Sequence, residues 1–303
     1  MSKWVTAMMI DDCIRDPVLG AEVILGFKDI PPPQALRLRG MWQSKFMIDS
    51  SGLGSGKSTC IAIVAALRML LIEDRTAGII SYTFRQGKQI FENNFDRWIE
   101  TSPIFRNEIR KNRVQEPMST HGTDYWQLTA RNGNVIRVVP PSFMTNSDRV
   151  AGESWTDGYF DEWTRYQNYD ALDQVLVPRV RKPISEMYDV KDPIFTHHIY
   201  FGGTAGFQWN PCYTRLLHFM DQIALGNRKY EVQSWHCEHY PERSRRLTNP
   251  DVIEFMKSTM RPDQIQMEVY GRWVKDSVGF YSAREVSEIR KADIPVLTME
   301  NVA

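Results

Sequence analysis

Cysteine is scarce in this chain of 303 residues: Cys13, Cys60, Cys212 and Cys237 are scattered and form no C-x-x-C pair. That pattern fits reduced thiols in a cytosol rather than a disulfide framework. Long hydrophobic runs are missing too. The longest, Cys60 to Ile72, carries Arg68 and is too short to span a bilayer. The N-terminus lacks the basic-then-apolar layout of a signal peptide, so a soluble intracellular protein is expected. Net charge is absent as well, with 37 basic residues against 37 acidic ones. No global basic field draws in nucleic acid, and any DNA contact must come from local patches or from a ring of copies. Internal repeats and low-complexity tracts are likewise missing. The length suits one α/β domain with an appendage.

What is present is concentrated in "FMIDSSGLGSGKSTCIAIVAALRMLLIED", residues 46–74. The β-prone "FMID" leads into three glycines, and from Ser58 to Leu71 the chain is rich in Ala, Ile and Leu. Strand, tight loop and helix follow from that order. In this setting backbone N–H groups and the positive end of the helix dipole wrap a polyphosphate. Lys57 would neutralise the β- and γ-phosphates, and the Ser58 hydroxyl, beside Thr59, would ligate Mg²⁺. The P-loop pattern wants glycine six residues before the lysine, where Ser51 stands. Gly52, Gly54 and Gly56, interleaved with Leu53 and Ser55, still supply the flexibility, so this is a deviant P-loop that binds ATP.

The N-terminal segment, 1–33, looks helical and ends at "FKDIPPPQALRLRG", where three prolines reset the chain before Gln34. After the P-loop helix, "AGIISYT" (77–83) is a buried-type strand. "RQGKQIFENNFDRWIE" places Ile90, Phe91, Phe95, Trp98 and Ile99 at helical spacing. "DYWQLTARNGNVIRVV" is a hairpin with Asn132-Gly133 at its turn. The further alternation of strand and helix argues for a mostly parallel sheet.

An ATPase also needs an acid at a strand end for Mg²⁺ and a second acid for the attacking water. Glu73 in "MLLIED" lies at the far end of the P-loop helix, on the order of 20 Å from the phosphates. "DGYFDEW" (157–163) is better placed, although Asp157 and Gly158 dilute its apolar lead-in. Asp161 would hold Mg²⁺ through water, and Glu162 would be the general base. Adjacent acids on a strand point to opposite faces, which suits a division of labour. "IFTHHIYFGGTAGF" (194–207) is a strand running into a glycine turn, and Thr204 at its tip is a candidate γ-phosphate sensor. Gln34, just before the helix that leads into the P-loop strand, could pair with both adenine edges.

In this order and spacing, the motifs resemble those of the ATPase domain of phage large terminase subunits, the motors that package DNA into viral capsids. The resemblance spans Gln34 to Trp273. It rests on Gln34, "SSGLGSGKST", "SYTFRQGKQIFENNF", the Asn-Gly hairpin, "RVAGESWTDGYFDEW", "GGTAG" and the closing "MEVYGRWV". It implies an α/β fold, a P-loop NTPase of the ASCE type with a mostly parallel central sheet flanked by helices. It also implies double-stranded DNA, a portal protein and a small terminase subunit as partners, a homo-oligomeric ring during packaging, and action in the host cytoplasm.

Two departures matter. Many terminases carry an arginine four residues before the P-loop lysine, where this chain has Leu53. A cation is still needed for the charge on the transferring phosphoryl group. Arg149, in "SDRVAGESW", lies near where some relatives place one, and Arg85 is the second choice; for both, a solvated arginine is the plain alternative. Secondly, the 30 residues after Trp273 (274–303) leave no room for the nuclease domain that usually follows. They read as a linker, and no nuclease activity is expected.

Other clusters carry less. "WHCEHYPE" (235–242) offers His236, Cys237 and His239 but no second ligand pair at finger spacing, so it reads as a strand-to-loop junction. "RSRR" (243–246) and "VPRVRK" (177–182) are basic patches that would meet phosphates rather than bases if they line a channel. Trp42, Trp98 and Trp273 read as core. A DNA-packaging ATPase is the leading reading. Its rivals are a helicase-like P-loop ATPase acting on nucleic acid and a nucleotide-gated assembly subunit with negligible turnover.

Overall fold

The computed structural model describes residues 3–140, 154–166, 169, 172–184, 192–240 and 249–275. Helices α1 (Lys3–Arg15), α2 (Pro17–Leu25) and α3 (Pro32–Gln43) come first. The side chain of Asp16 caps α2 by accepting the Val18 N–H at 3.1 Å, with Pro17 at the first helical position. Gly26, at φ 78°, closes the helix in the left-handed region. Cys13, Ala21, Ile24 and Leu25 are buried in the same cluster as Trp42 and residues 60–67, so this segment belongs to the core of the molecule.

β1 (Phe46–Ser50) then feeds the glycine loop and α4 (Lys57–Leu71). β2 (Thr76–Ile80) is followed by α5 (Phe84–Ile90), whose Thr83 and Gln86 form a reciprocal capping box. A π-helical turn over Phe91–Asp96 passes into α6 (Arg97–Thr101), then α7 (Pro103–Glu108). β3 (Ser119–His121), β4 (Trp126–Thr129) and β5 (Val135–Val139) make an antiparallel flap with Gly133 at φ 90° in the expected hairpin turn. β6 (Asp157–Asp161), β7 (His198–Gly203), α8 (Pro211–Ala224), β8 (Tyr230–Gln233) and α9 (Pro250–Thr259) follow, with short helical turns between and after them. β3 was not foreseen, and β8 only as the strand leading into the junction at 235–242. Both are short, and β8 is half-buried at a sheet edge with no apolar run to announce it.

The strands form one sheet in the order β3-β4-β5-β2-β6-β7-β1-β8, and every pairing from β5 to β8 is parallel. Side chains alternate between its faces. Met47, Ile79, Tyr159 and Tyr200 pack on the α4 side. Ile48, Ile80, Phe160 and Phe201 pack on the other, against Phe219 of α8. This is the mostly parallel α/β sandwich that the alternation of elements calls for.

Alternation also explains the diluted acidic strand. Asp157 and Asp161 both face α4. At the base, Asp157 accepts from Arg68 Nε at 3.0 Å, with both side chains buried. Arg68 and Arg75, whose other nitrogens take the carbonyls of Ile194, Phe195 and Thr196, hold Asp157 below its ordinary value even though burial opposes this. Gly158 faces the other layer, where a Cβ would come within 2.7 Å of the Val180 side chain.

Candidate functional site

Three strand ends converge on one edge of the sheet. β1 delivers the glycine loop, β6 delivers Asp161, and β7 lies between them and delivers Thr204. The carboxyl ends of parallel strands are where open α/β sheets bind ligands.

The loop is built from below. Ser51 is fully buried and keeps a negative φ, while Gly54 and Gly56 adopt φ 68° and 77°. Glycine is therefore needed at those two places and not at 51. The Ser51 hydroxyl accepts from Arg37 Nη2 at 2.9 Å and from the Trp235 N–H at 2.9 Å, and donates to Asp49. Arg37, on α3 and wholly buried, also reaches Asp49 at 2.5 Å and the Ser55 carbonyl at 2.6 Å. Tyr240 donates to that carbonyl at 2.7 Å, and Tyr200 donates to Asp49 at 2.9 Å. Burial opposes the charge on Arg37, yet Asp49 more than compensates and raises its pKa well above normal. Sequence reasoning missed this clamp. Its signal was an aspartate inside the apolar strand "FMIDS".

The closing segment holds the loop from the other side. Gly52 donates to the Trp235 carbonyl at 2.8 Å and Leu53 to the Glu268 carbonyl at 2.7 Å. A Cβ at Gly52 would collide with the Val269 carbonyl, and one at Gly271, at φ 62°, with the Ser50 carbonyl. Trp273 donates its indole N–H to Ser50 Oγ at 3.2 Å. The "MEVYGRWV" stretch is thus a brace for the glycine loop.

Within the loop, Lys57 Nζ donates to the carbonyls of Ser51 at 2.7 Å and Gly52 at 3.1 Å. Burial pulls its pKa below the lysine norm, although Asp49 and Glu162 pull the other way. Ser55 Oγ is buried without a hydrogen-bond partner among the described residues. A side chain at Gly56 would collide with the carboxamide of Gln34, so Gln34 does border the loop. Thr59, on the first turn of α4, lines the neighbouring cleft, and Leu53 is partly exposed at the loop tip.

Ser58 Oγ stands 3.4 Å from both carboxylate oxygens of Asp161, and Ser81 Oγ stands 3.5 Å from one of them. Burial and the adjacent Glu162 push Asp161 up to about 7, against the pull of Lys57 and the two serines. A hydroxyl and a carboxylate at this separation suit a hard cation such as Mg²⁺, which keeps most of its shell as water and phosphate oxygens. Among the described residues no cluster of three or more His, Cys, Asp or Glu could hold a metal by itself.

Glu162 departs from expectation. It does not continue the strand onto the opposite face but turns out of it at φ 54°, ψ 36°. That left-handed conformation costs a non-glycine residue about 1 kcal/mol or more. It places Glu162 beside Asp161 in one cleft of about 790 Å³, with Ser58, Gln86, Asn93 and Arg97. One of its carboxylate oxygens is buried with no aligned hydrogen-bond donor among the described residues. Gly203 neighbours it, since a Cβ there would lie 3.2 Å from the Trp163 ring and 3.4 Å from Glu162 Cα. Thr204 is buried next to this contact, its carbonyl accepting from Thr164 at 2.9 Å.

Of the arginine candidates, Arg149 lies outside the described residues, and Arg85 is exposed on α5. Arg97, not singled out from the sequence, lines the cleft. In "VPRVRK", Lys182 donates to Thr76 Oγ1 at 2.6 Å and serves the fold, while Arg181 is exposed. "RSRR" lies outside the described residues. The His236 and His239 rings lie tilted against each other, centroids 3.7 Å apart, in a tight turn after β8.

No protein-family model matches the sequence, and neither does any curated protein. Solved structures do match. The large terminase of bacteriophage HK97 superposes with a TM-score of 0.60 at 11% identity, over 86% of this chain and 55% of that one. The large terminase of a thermophilic bacteriophage gives 0.54 at 12% identity, over 82% and 55%. Another crystal form of that thermophilic phage protein, in complex with ATP-gamma-S, gives 0.51 at 11% identity, over 82% and 54%. The chain spans about half the length of these structures. Its architecture is the α/β fold seen in these large terminase structures, one mostly parallel sheet flanked by helices.

Proposed function

We infer that this chain hydrolyses ATP with Mg²⁺ and couples turnover to driving double-stranded DNA into a viral procapsid. The observation that carries the reading is the convergence of Lys57 and Ser58 with Asp161 and Glu162 on one sheet edge. The fold shared with large terminases supports it, as does ATP-gamma-S bound by one of those proteins.

In this reading the loop N–H groups and Lys57 hold the β- and γ-phosphates, with Ser51, Gly52, Gly54, Ser55, Gly56 and Thr59 shaping the cradle and Gln34 bordering the base. Buried Ser55 Oγ gains a phosphate oxygen as its partner. Ser58 and Asp161 would hold Mg²⁺, which would supply positive charge against that developing on the transferring phosphoryl group. Glu162 accepts the proton of the attacking water through the buried carboxylate oxygen that has no aligned hydrogen-bond donor among the described residues. Thr204, the residue that follows β7, carries loss of the γ-phosphate into that strand. The cation facing the transferring group is Arg149 or an arginine of a neighbouring copy. Portal protein, small subunit and ring assembly belong to the same reading. The test is ATP turnover: Lys57→Ala should abolish it with loss of binding, and Glu162→Gln should abolish it with binding retained. Turnover unchanged in both variants would refute the assignment.

A further inference from the structure

The cleft that holds Asp161 and Glu162 runs on between two walls. One wall is the end of α2 with the turn after it, Leu25 to Lys28, and the other is the helical run from α5 through the π turn into α6. Gln89, Asn93, Arg97 and Thr101 line it from that run, each four residues beyond the last. In a regular α-helix a step of four residues overshoots one turn by about 40°, so such a row winds off its face. The wider π turn at Phe91–Asp96 takes that overshoot back. Asn94 Nδ2 donates to the Ile90 carbonyl at 2.8 Å across the turn, so a side chain supports the widening.

The two ends of the cleft differ in charge. α5 starts three residues after Ser81, whose Oγ stands 3.5 Å from Asp161, so the helical run sets out from the acidic end. Arg97 lies 11 residues beyond Gln86, on the order of 15 Å along that run. There the walls meet: Phe27 packs edge-on against Trp98 at 5.8 Å, and Ser102 Oγ donates to the Ile24 carbonyl at 2.6 Å. That junction brings Lys28 and Arg97, the neighbours of the two rings, to one end, both exposed. Among the described residues neither has an acidic partner. Asp96, the acid next to Arg97, is engaged by His121 of β3 at 3.2 Å.

We propose that this outer end binds inorganic phosphate, with Arg97 and Lys28 as its cations, and receives the phosphate released at the acidic end. The product role rests on the ATP-hydrolysis reading. A guanidinium offers phosphate paired N–H donors, and the carboxamides of Gln89 and Asn93 offer more. An anion set free beside two carboxylates is repelled by them and drawn towards the cations, so the charge pattern gives the cleft a direction. Product then leaves along α5 and α6 without passing back through the glycine loop.

The experiment titrates inorganic phosphate into the full chain and reads ³¹P line broadening by NMR. Lys57→Ala is the background, because it removes the cation of the glycine loop and leaves the outer cleft intact. Phosphate should still bind that variant, and about fivefold to tenfold more weakly once Arg97→Ala is added, with Arg97→Lys between them. Lys28→Ala should act in the same direction. In steady-state ATP hydrolysis with Lys57 intact, Arg97→Ala should need about fivefold more added phosphate for half-inhibition, while inhibition by ADP stays within about twofold. No phosphate binding in Lys57→Ala, or equal affinity with and without Arg97 in protein that melts like its parent, would overturn the site. Loss of duplex DNA binding in Arg97→Ala with phosphate affinity unchanged would overturn it too, by making Arg97 a DNA contact. A chain with Lys57 intact that binds phosphate through Arg97 yet hydrolyses no ATP would remove the ATPase reading and the product role with it, a failure distinct from loss of the site.

Discussion

Ser51 occupies a position where a phosphate loop ordinarily has glycine, yet its hydroxyl holds Arg37, Asp49 and the Trp235 N–H together. Because its φ is negative, restoring glycine gains no backbone freedom that the loop needs. Ser51→Gly should therefore lower stability by about 1 kcal/mol, the net worth of a buried hydrogen bond, and a thermal melt would read the loss. Arg37→Ala is harsher. It leaves Asp49 buried without its cation, which should cost about 3–5 kcal/mol in a denaturant titration. At the mouth of the site, Glu162→Gln should lower kcat by about 10²-fold or more while fluorescent-nucleotide binding stays near wild type.

Elements explain what single residues cannot. α4 and β6 are joined at both ends on one face: Ser58 meets Asp161 at the ligand end, and Arg68 meets Asp157 at the base. Asp157 has a depressed folded pKa, so its contribution is present above the unfolded value of about 4 and is lost as pH falls below it. Asp157→Asn should therefore melt well below wild type at pH 7, and the gap should narrow below about pH 4. Gly52→Ala should strip nucleotide binding, because its Cβ would meet the Val269 carbonyl and force the loop off its brace. Much of this was legible beforehand. Lys57, Ser58 and Asp161 come together as the spacing and the alternation of strands require. The opposite-face expectation for Glu162 failed because strand alternation does not extend into a left-handed turn. The Arg37 clamp and the brace of Glu268 to Gly271 were hidden for another reason. Arg37 lies only 12 residues from Asp49, but the clamp is completed by Trp235 and Tyr240 and the brace by Glu268 to Gly271, all far along the chain from the loop, and no local pattern encodes those contacts.

Across the whole molecule, 37 basic and 37 acidic residues leave no long-range field. One copy should bind duplex DNA weakly, with affinity that falls as salt rises, readable by anisotropy; a tight, salt-insensitive complex would argue against a phosphate-lined channel. If the cation facing the transferring group comes from a neighbour, turnover depends on assembly. The most direct test is ATP hydrolysis across protein concentrations, with and without duplex DNA, beside Lys57→Ala and Glu162→Gln. The account predicts a rate per subunit that climbs with concentration or DNA and disappears in both variants. A wild-type protein that binds ATP yet turns over no faster than the variants would contradict it and favour a nucleotide-gated assembly subunit.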